Sequence, residues 1–251
     1  MPGQCDYCLG GRFNLCRNMR FLGSASVFPH VQGMFRESFV MGEAQLTPIA
    51  EDISLGELAC AEPLSIGLHA VHRAGELLGK TVLITGGGTI GCMSVLAARL
   101  AGAAKIIVCD IAARPLEMAR TVGADRALRS DQAAPAELAD IADIAIEAAG
   151  SPAALLTCLQ ATRRGGRIVQ VGTLPADGVM FPANSVMARE IDYVGAFRAA
   201  HAFDWAVQYL RSRRVDVRPL VSAQIPLARV HEAFELASDR SRSTKVQVVC
   251  D

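Results

Sequence analysis

Residues 80–91 read KTVLITGGGTIG and residues 105–110 read KIIVCD. The first stretch is a short apolar run (80–86) that breaks into glycines and feeds a helical pattern at 90–101, apolar on every side. The second is another apolar run of strand length. Working outward, a helix is expected over 115–122, stopped by Gly123. Further strands are expected at 126–129, within 141–150, and at 166–172. Strands that are apolar almost throughout, alternating with helices, predict a parallel sheet covered on both faces, in other words a doubly wound α/β fold. Beyond Glu190 the pattern changes. It predicts a strand at 191–198, a helix at 201–213, an extended piece at 217–221, a helix at 227–238 and a last strand at 245–249. Ahead of the alternation, residues 1–20 show no period, 33–41 (GMFRESFVM) reads as a strand, and helical patterns run over 52–58 and 60–73.

Gly86, Gly88 and Gly91 fit G-x-G-x-x-G, and they follow a strand and open a helix, the context this motif needs to bind a dinucleotide. Gly88 lets backbone approach a pyrophosphate, and Gly91 lets the helix pack on the strand. Thr89 and Ile90 sit at the helix N-terminus, whose free N–H groups and dipole favour phosphate. Asp110 ends the second strand, about twenty residues past the loop, where a carboxylate accepts from ribose hydroxyls and repels a 2′-phosphate. The expectation is a Rossmann-type domain holding NAD, with Arg114 nearby weakening the discrimination against NADP. The competing reading is a glycine turn that binds no nucleotide.

Of the 251 residues, 51% are apolar, and acidic and basic residues balance at 25 each. That balance gives no electrostatic reason to expect a nucleic acid or a membrane as partner. No uninterrupted apolar segment has the length of a membrane span, and the N-terminus lacks the pattern of a signal peptide, so a cytoplasmic protein is expected. Eight cysteines are then more simply thiols than disulfides. Three of them, Cys5, Cys8 and Cys16, follow C-x2-C-x7-C in an irregular stretch and suggest a zinc site. A thioredoxin-like pair and three unrelated thiols are the alternatives.

CDYCLGGRFNLC (5–16), FPHVQGMFRESFVM (28–41), AEPLSIGLHAVHRA (61–74), the glycine loop, EIDYVGAFR (190–198) and DVRPLV (216–221) together resemble the zinc-dependent medium-chain dehydrogenases. The resemblance is narrowest to the sorbitol and L-idonate 5-dehydrogenase branch and runs over essentially the whole chain. It implies a Rossmann sheet plus part of a GroES-like, β-rich catalytic domain. The implied division is 1–64 for a remnant of that catalytic domain with its zinc lobe, 65–195 for the NAD domain, and 196–251 for the return to the catalytic domain. It also implies NAD and zinc as cofactors, a polyol or sugar acid as substrate, and a homo-oligomer, dimeric or tetrameric.

The same resemblance implies roles for single residues. Glu62 would belong to a catalytic zinc site, and Arg198 would lie at the substrate or nicotinamide. Val171 and Phe197 would touch the cofactor, and Glu147-Ala-Ala-Gly150 would form a turn beside it. Residue-level alternatives stand next to these: Glu62 as a helix N-terminal carboxylate helped by the dipole, and Arg198 as a surface arginine. His69 and His72 are expected to be ordinary packing histidines. Two departures from the family pattern stand out. The structural zinc pattern C-x2-C-x2-C-x7-C would put its first cysteine at position 2, where Pro2 stands. The family's catalytic cysteine and His-Glu pair would fall upstream of Met1, so the chain reads as N-terminally truncated. Two weaker expectations follow: an NAD-binding remnant without catalysis, and a zinc-free reductase of the quinone-reductase type, against which the cysteine lobe argues.

Overall fold

The computed structural model describes residues 3–24, 27–49 and 53–250, so Pro2 and the start of the 52–58 pattern lie outside the described residues. The short helices α1 (Asp6–Leu9) and α2 (Leu55–Leu58) precede α3 (Ala61–Ala74). The alternation that follows is β1 (Thr81–Thr85), α4 (Thr89–Leu100), β2 (Lys105–Asp110), α5 (Ala113–Thr121), β3 (Arg126–Arg129), α6 (Pro135–Leu138), β4 (Ala142–Glu147), α7 (Pro152–Ala161) and β5 (Thr162–Gln170). The chain continues through α8 (Ala183–Ala188), β6 (Asp192–Gly195), α9 (Ala202–Arg211), β7 (Val221–Pro226), α10 (Val230–Ser238) and β8 (Lys245–Val249).

The first six strands form one parallel sheet in the order β3-β2-β1-β4-β5-β6. Its central strands β1, β2 and β4 are buried on both faces, and the two-residue period of a strand sorts their side chains into two cores. Val82, Ile84, Ile106 and Val108 point to the face covered by α3 and α4. Leu83, Ile107, Ala145 and Ile168 point to the other, where Leu155, Cys158 and Leu159 of α7 meet them. Helix α3 packs closely on α4, because Gly67 has no side chain: a Cβ there would lie 2.7 Å from the Met93 carbonyl. Helix α9 packs on α3, and Arg73 of α3 donates through Nε to the Gly195 carbonyl at the end of β6.

Outside this sheet the described residues hold one two-stranded parallel sheet, β7 with β8. It touches α2, since Gln247 donates to the Gly56 carbonyl at 2.7 Å. The N-terminal lobe is tied to the chain after β6 by Asn14, which donates to the Phe197 carbonyl, and by a His201–Gly11 contact of 2.8 Å.

Three sequence expectations are corrected. Residues 33–41 form no strand; they run as bends and irregular chain with Met34, Phe35, Phe39 and Val40 exposed, so no core fixes an extended pairing. Residues 217–221 are largely a turn of 3-10 helix at Arg218–Leu220, since Pro219 suits the first helical turn, and the strand starts at Val221 instead. Residues 227–229 are likewise 3-10 before α10 begins at Val230.

Candidate cofactor site and cysteine cluster

The loop after β1 builds the site. Gly86 has φ +91°, a conformation that favours glycine, and it donates its N–H to the Cys109 carbonyl at 2.7 Å. At Gly91, on the first turn of α4, a Cβ would overlap the Gly86 carbonyl oxygen, so helix and loop touch backbone to backbone. Gly88 caps α4 with ordinary dihedrals, and no side chain caps the N–H groups behind it. A Cβ on Gly88 would meet no protein atom within 4 Å. Glycine at 88 is therefore not demanded by the protein's own packing. Open space in front of uncapped helix amides is the shape a pyrophosphate fills.

Asp110 faces this loop from the end of β2. Its Oδ2 accepts the Gly87 N–H at 2.7 Å and its Oδ1 accepts the Ala112 N–H at 2.9 Å. An ionised carboxylate has about four lone-pair sites. Two remain for ligand hydroxyls, and the side chain is held in place by the loop it serves.

Two adjoining clefts open here. One, of about 270 Å³, is lined by Gly86, Gly88, Thr89, Ile90, Asp110 and Ala149, among others. The second, of about 290 Å³, shares Gly86, Asp110 and Ala149 and runs on past Ile111 and Ser130. Arg240 lines both. Of the expected cofactor residues, the clefts bring together the three glycines' loop, Thr89, Ile90 and Asp110. Arg114 does not line either; its Nε is buried without a hydrogen-bond partner in the second position of α5. Val171 lies one strand-end further along, with its N–H on the Glu147 carbonyl, and Phe197 is exposed beside the N-terminal lobe.

Arg240, Ser243 and Thr244 are cleft residues that sequence reasoning missed. They come from the α10–β8 connection, and the Thr89 hydroxyl donates to the Thr244 carbonyl at 2.6 Å to hold that connection over the loop. No local motif marks them; only the folded chain brings them back across more than one hundred residues.

Cys5, Cys8 and Cys16 do converge: their sulfurs all lie within 4.8 Å of one another, with Cys5 and Cys8 at 3.6 Å. Tetrahedral thiolate ligands at about 2.3 Å from a zinc ion require separations of this order. The Arg17 and Cys8 backbone N–H groups pull the Cys5 thiol down to about 7, whereas burial pushes Cys8 up. The donor set therefore fits a thiophilic ion. Cys16→Ser removes one of three thiolates, and zinc or cobalt affinity of the chain is expected to fall at least tenfold. Affinity of the unaltered chain should rise as pH climbs through about 7, where Cys5 loses its proton. Competition with a chromogenic chelator checks both; an affinity indifferent to the substitution would remove the cluster as the binding site.

Glu62 sits exposed in the first turn of α3, on the wall of a broad groove of about 920 Å³ shared with Phe21, Arg36 and Phe234. Arg198 takes φ +58° and lays its guanidinium 4.3 Å over the Phe21 ring and 5.1 Å over Phe197. Phe21, under the Arg198 guanidinium, lines the same groove as Glu62, whereas Arg198 itself does not line it. Among the described residues the cysteine trio is the one metal-sized cluster of such side chains, so nothing there completes a metal site around Glu62. A catalytic metal does not fit these residues alone. His69 is buried, its imidazole pushed down to about 4 by that burial, and it stacks on His72, which meets the edge of Trp205. Both are packing residues of α3.

The family described as zinc-binding dehydrogenase matches residues 89–212. L-idonate 5-dehydrogenase (NAD(P)(+)) of Escherichia coli is 37% identical over 252 residues, covering 98% of this chain and 73% of that protein. Human sorbitol dehydrogenase is 32% identical over 254 residues, covering 98% and 70%. The crystal structure of L-idonate 5-dehydrogenase from Escherichia coli superposes with a TM-score of 0.93 over 98% of this chain and 72% of that one.

Proposed function

The chain belongs to the zinc-binding dehydrogenase family, and from that premise we propose that it is an NAD-dependent dehydrogenase of polyols or sugar acids. The reaction is oxidation of a secondary alcohol to a ketone: the carbon gives up a hydride and its hydroxyl a proton. L-idonate going to 5-ketogluconate is the sharpest case, in line with the name of the 37% identical relative. The observation that carries the reading is the coincidence at one cleft of an uncapped helix N-terminus, an open Gly88 and an anchored Asp110.

Bound NAD supplies the hydride acceptor. The chain's residues supply the position. The amides behind Gly88 hold the pyrophosphate, and Asp110 orients the adenosine ribose and disfavours a phosphate on it. Val171, Phe197 and Arg114 belong in the same reading as contacts further from the loop. Glu62, on the groove wall, and Arg198, stacked on the groove residue Phe21, would meet the substrate. The division into 1–64, 65–195 and 196–251 is kept as the domain plan, supported by the bonds that join Asn14 to Phe197 and Gly56 to Gln247. A homo-oligomer and a cytoplasmic setting complete it; eight unpaired thiols favour a reducing compartment. No described helix is long and apolar enough to cross a membrane.

The test is NAD+ reduction by the purified chain with zinc present, against L-idonate, sorbitol, threitol and simple alcohols. Turnover with one polyol carries the reading. Tight NAD+ binding with every substrate inert would contradict it.

A further inference from the structure

Glu147 ends β4 and is fully buried. None of the ion pairs among the described residues includes it. Neutral N–H groups meet it instead. Oε1 accepts from the backbone of Ala149 at 3.0 Å and of Gly150 at 2.7 Å. Oε2 accepts from the Gln170 side-chain amide at 2.7 Å. The Glu147 carbonyl takes the N–H groups of Val171 and Gly172, both at 2.9 Å. Gln170 also donates to the Gly172 carbonyl and accepts from the Tyr193 hydroxyl.

One buried residue thus fastens the turn 148–150 to the segment 171–172. The joint is tight. A Cβ on Gly172 would lie 2.6 Å from the Glu147 carboxylate, and one on Gly86 would lie 2.9 Å from the Ala149 nitrogen. It sits at the carboxyl ends of β1, β4 and β5, and ligands of such sheets bind where the strand order reverses, here between β1 and β4. A buried carboxylate is costly, and a turn with no other demand on it could be closed by apolar packing.

We propose that Glu147 is a positioning residue for the dinucleotide. Its carboxylate holds the 148–150 turn and the 171–172 segment in register, so that Ala149 keeps its place in the wall of the two clefts that also hold Asp110. The proposal rests on the NAD-binding reading above. It assigns the side chain, not only the backbone of the turn, a part in cofactor binding.

Glu147→Gln keeps the shape and one acceptor oxygen for the turn amides, but turns an N–H toward the Gln170 amide donor. In the free variant, hydrogen exchange at Ala149, Gly150 and Gly172 should accelerate while amides of β1 and β2 keep their protection. NAD+ affinity should fall roughly tenfold, as expected when bonds to a buried charge are lost. Gln170→Ala cuts only the outer tie and should shift both readouts in the same direction by less, which keeps the test open if Glu147→Gln folds poorly. Unchanged exchange or unchanged NAD+ affinity in both variants would overturn the proposal. No binding of NAD+ by the unaltered chain would instead remove the dinucleotide reading itself, and this purpose with it.

Discussion

Gly91→Ala is expected to abolish NAD+ binding and to destabilise the protein by about 3 kcal/mol or more. In a solvent-exposed helix the change would gain about 1 kcal/mol from propensity. Here the new Cβ would overlap the Gly86 carbonyl oxygen and come within 2.8 Å of its carbon. Neither backbone can yield cheaply. Gly86 is bonded to Cys109 and pressed against Ala149, and α4 is locked at its other side by the Gly67–Met93 contact. The collision therefore outweighs the propensity gain. For a chain of this size the melting temperature should drop by roughly 5–10 °C. Thermal unfolding together with an NAD+ titration checks this, and a variant with unaltered melting and affinity would show that the loop is looser than described.

Asp110→Ser should weaken NAD+ binding by about a hundredfold and reverse the preference between NAD+ and NADP+. Two effects add. The carboxylate's bonds to Gly87 and Ala112 set the loop, and each bond to a charged acceptor is worth about 1.5–3 kcal/mol. Its remaining lone pairs are the acceptors offered to the ribose. NADP+ loses the same loop order but escapes the repulsion between carboxylate and 2′-phosphate. Arg240 lines both clefts and Arg114 keeps a buried Nε without a partner, so cations then dominate the adenosine end. Dissociation constants for both cofactors, measured for both proteins, give the ratio. A ratio that does not move would take Asp110 out of ribose recognition.

Much of the fold was legible because the Rossmann sheet states its pattern locally. Strands such as TVLIT and KIIVCD are buried on two faces and must be apolar throughout. Gly86, Gly88 and Gly91 fall within one strand-loop-helix unit, and Asp110 ends the strand that follows it. The 33–41 segment misled because its alternation resembles a half-buried strand, yet Phe35, Phe39 and Val40 stay exposed, with Phe35 meeting the Phe234 ring edge to face. β7 escaped because only Ile225 of VSAQIP is fully buried, the other five residues being half-buried or exposed. α7 was passed over although Ser151 caps it through the Ala154 N–H and Pro152 opens it. At the site, Arg240 and Thr244 were invisible because their role comes from a return of the chain, not from neighbours in sequence. The cysteine spacing correctly brought three sulfurs together.

The central claim is that the open space before Gly88 belongs to a dinucleotide. Titration of NAD+ into the purified chain and into Gly88→Val tests it most directly. Position 88 has ordinary dihedrals and no protein atom within 4 Å of a Cβ, so the variant should fold, with melting lowered by only a few degrees for the poorer N-cap. Saturable NAD+ binding is predicted for the parent, and its loss in folded Gly88→Val. Equal NAD+ binding by both proteins, or none by the parent, would contradict it.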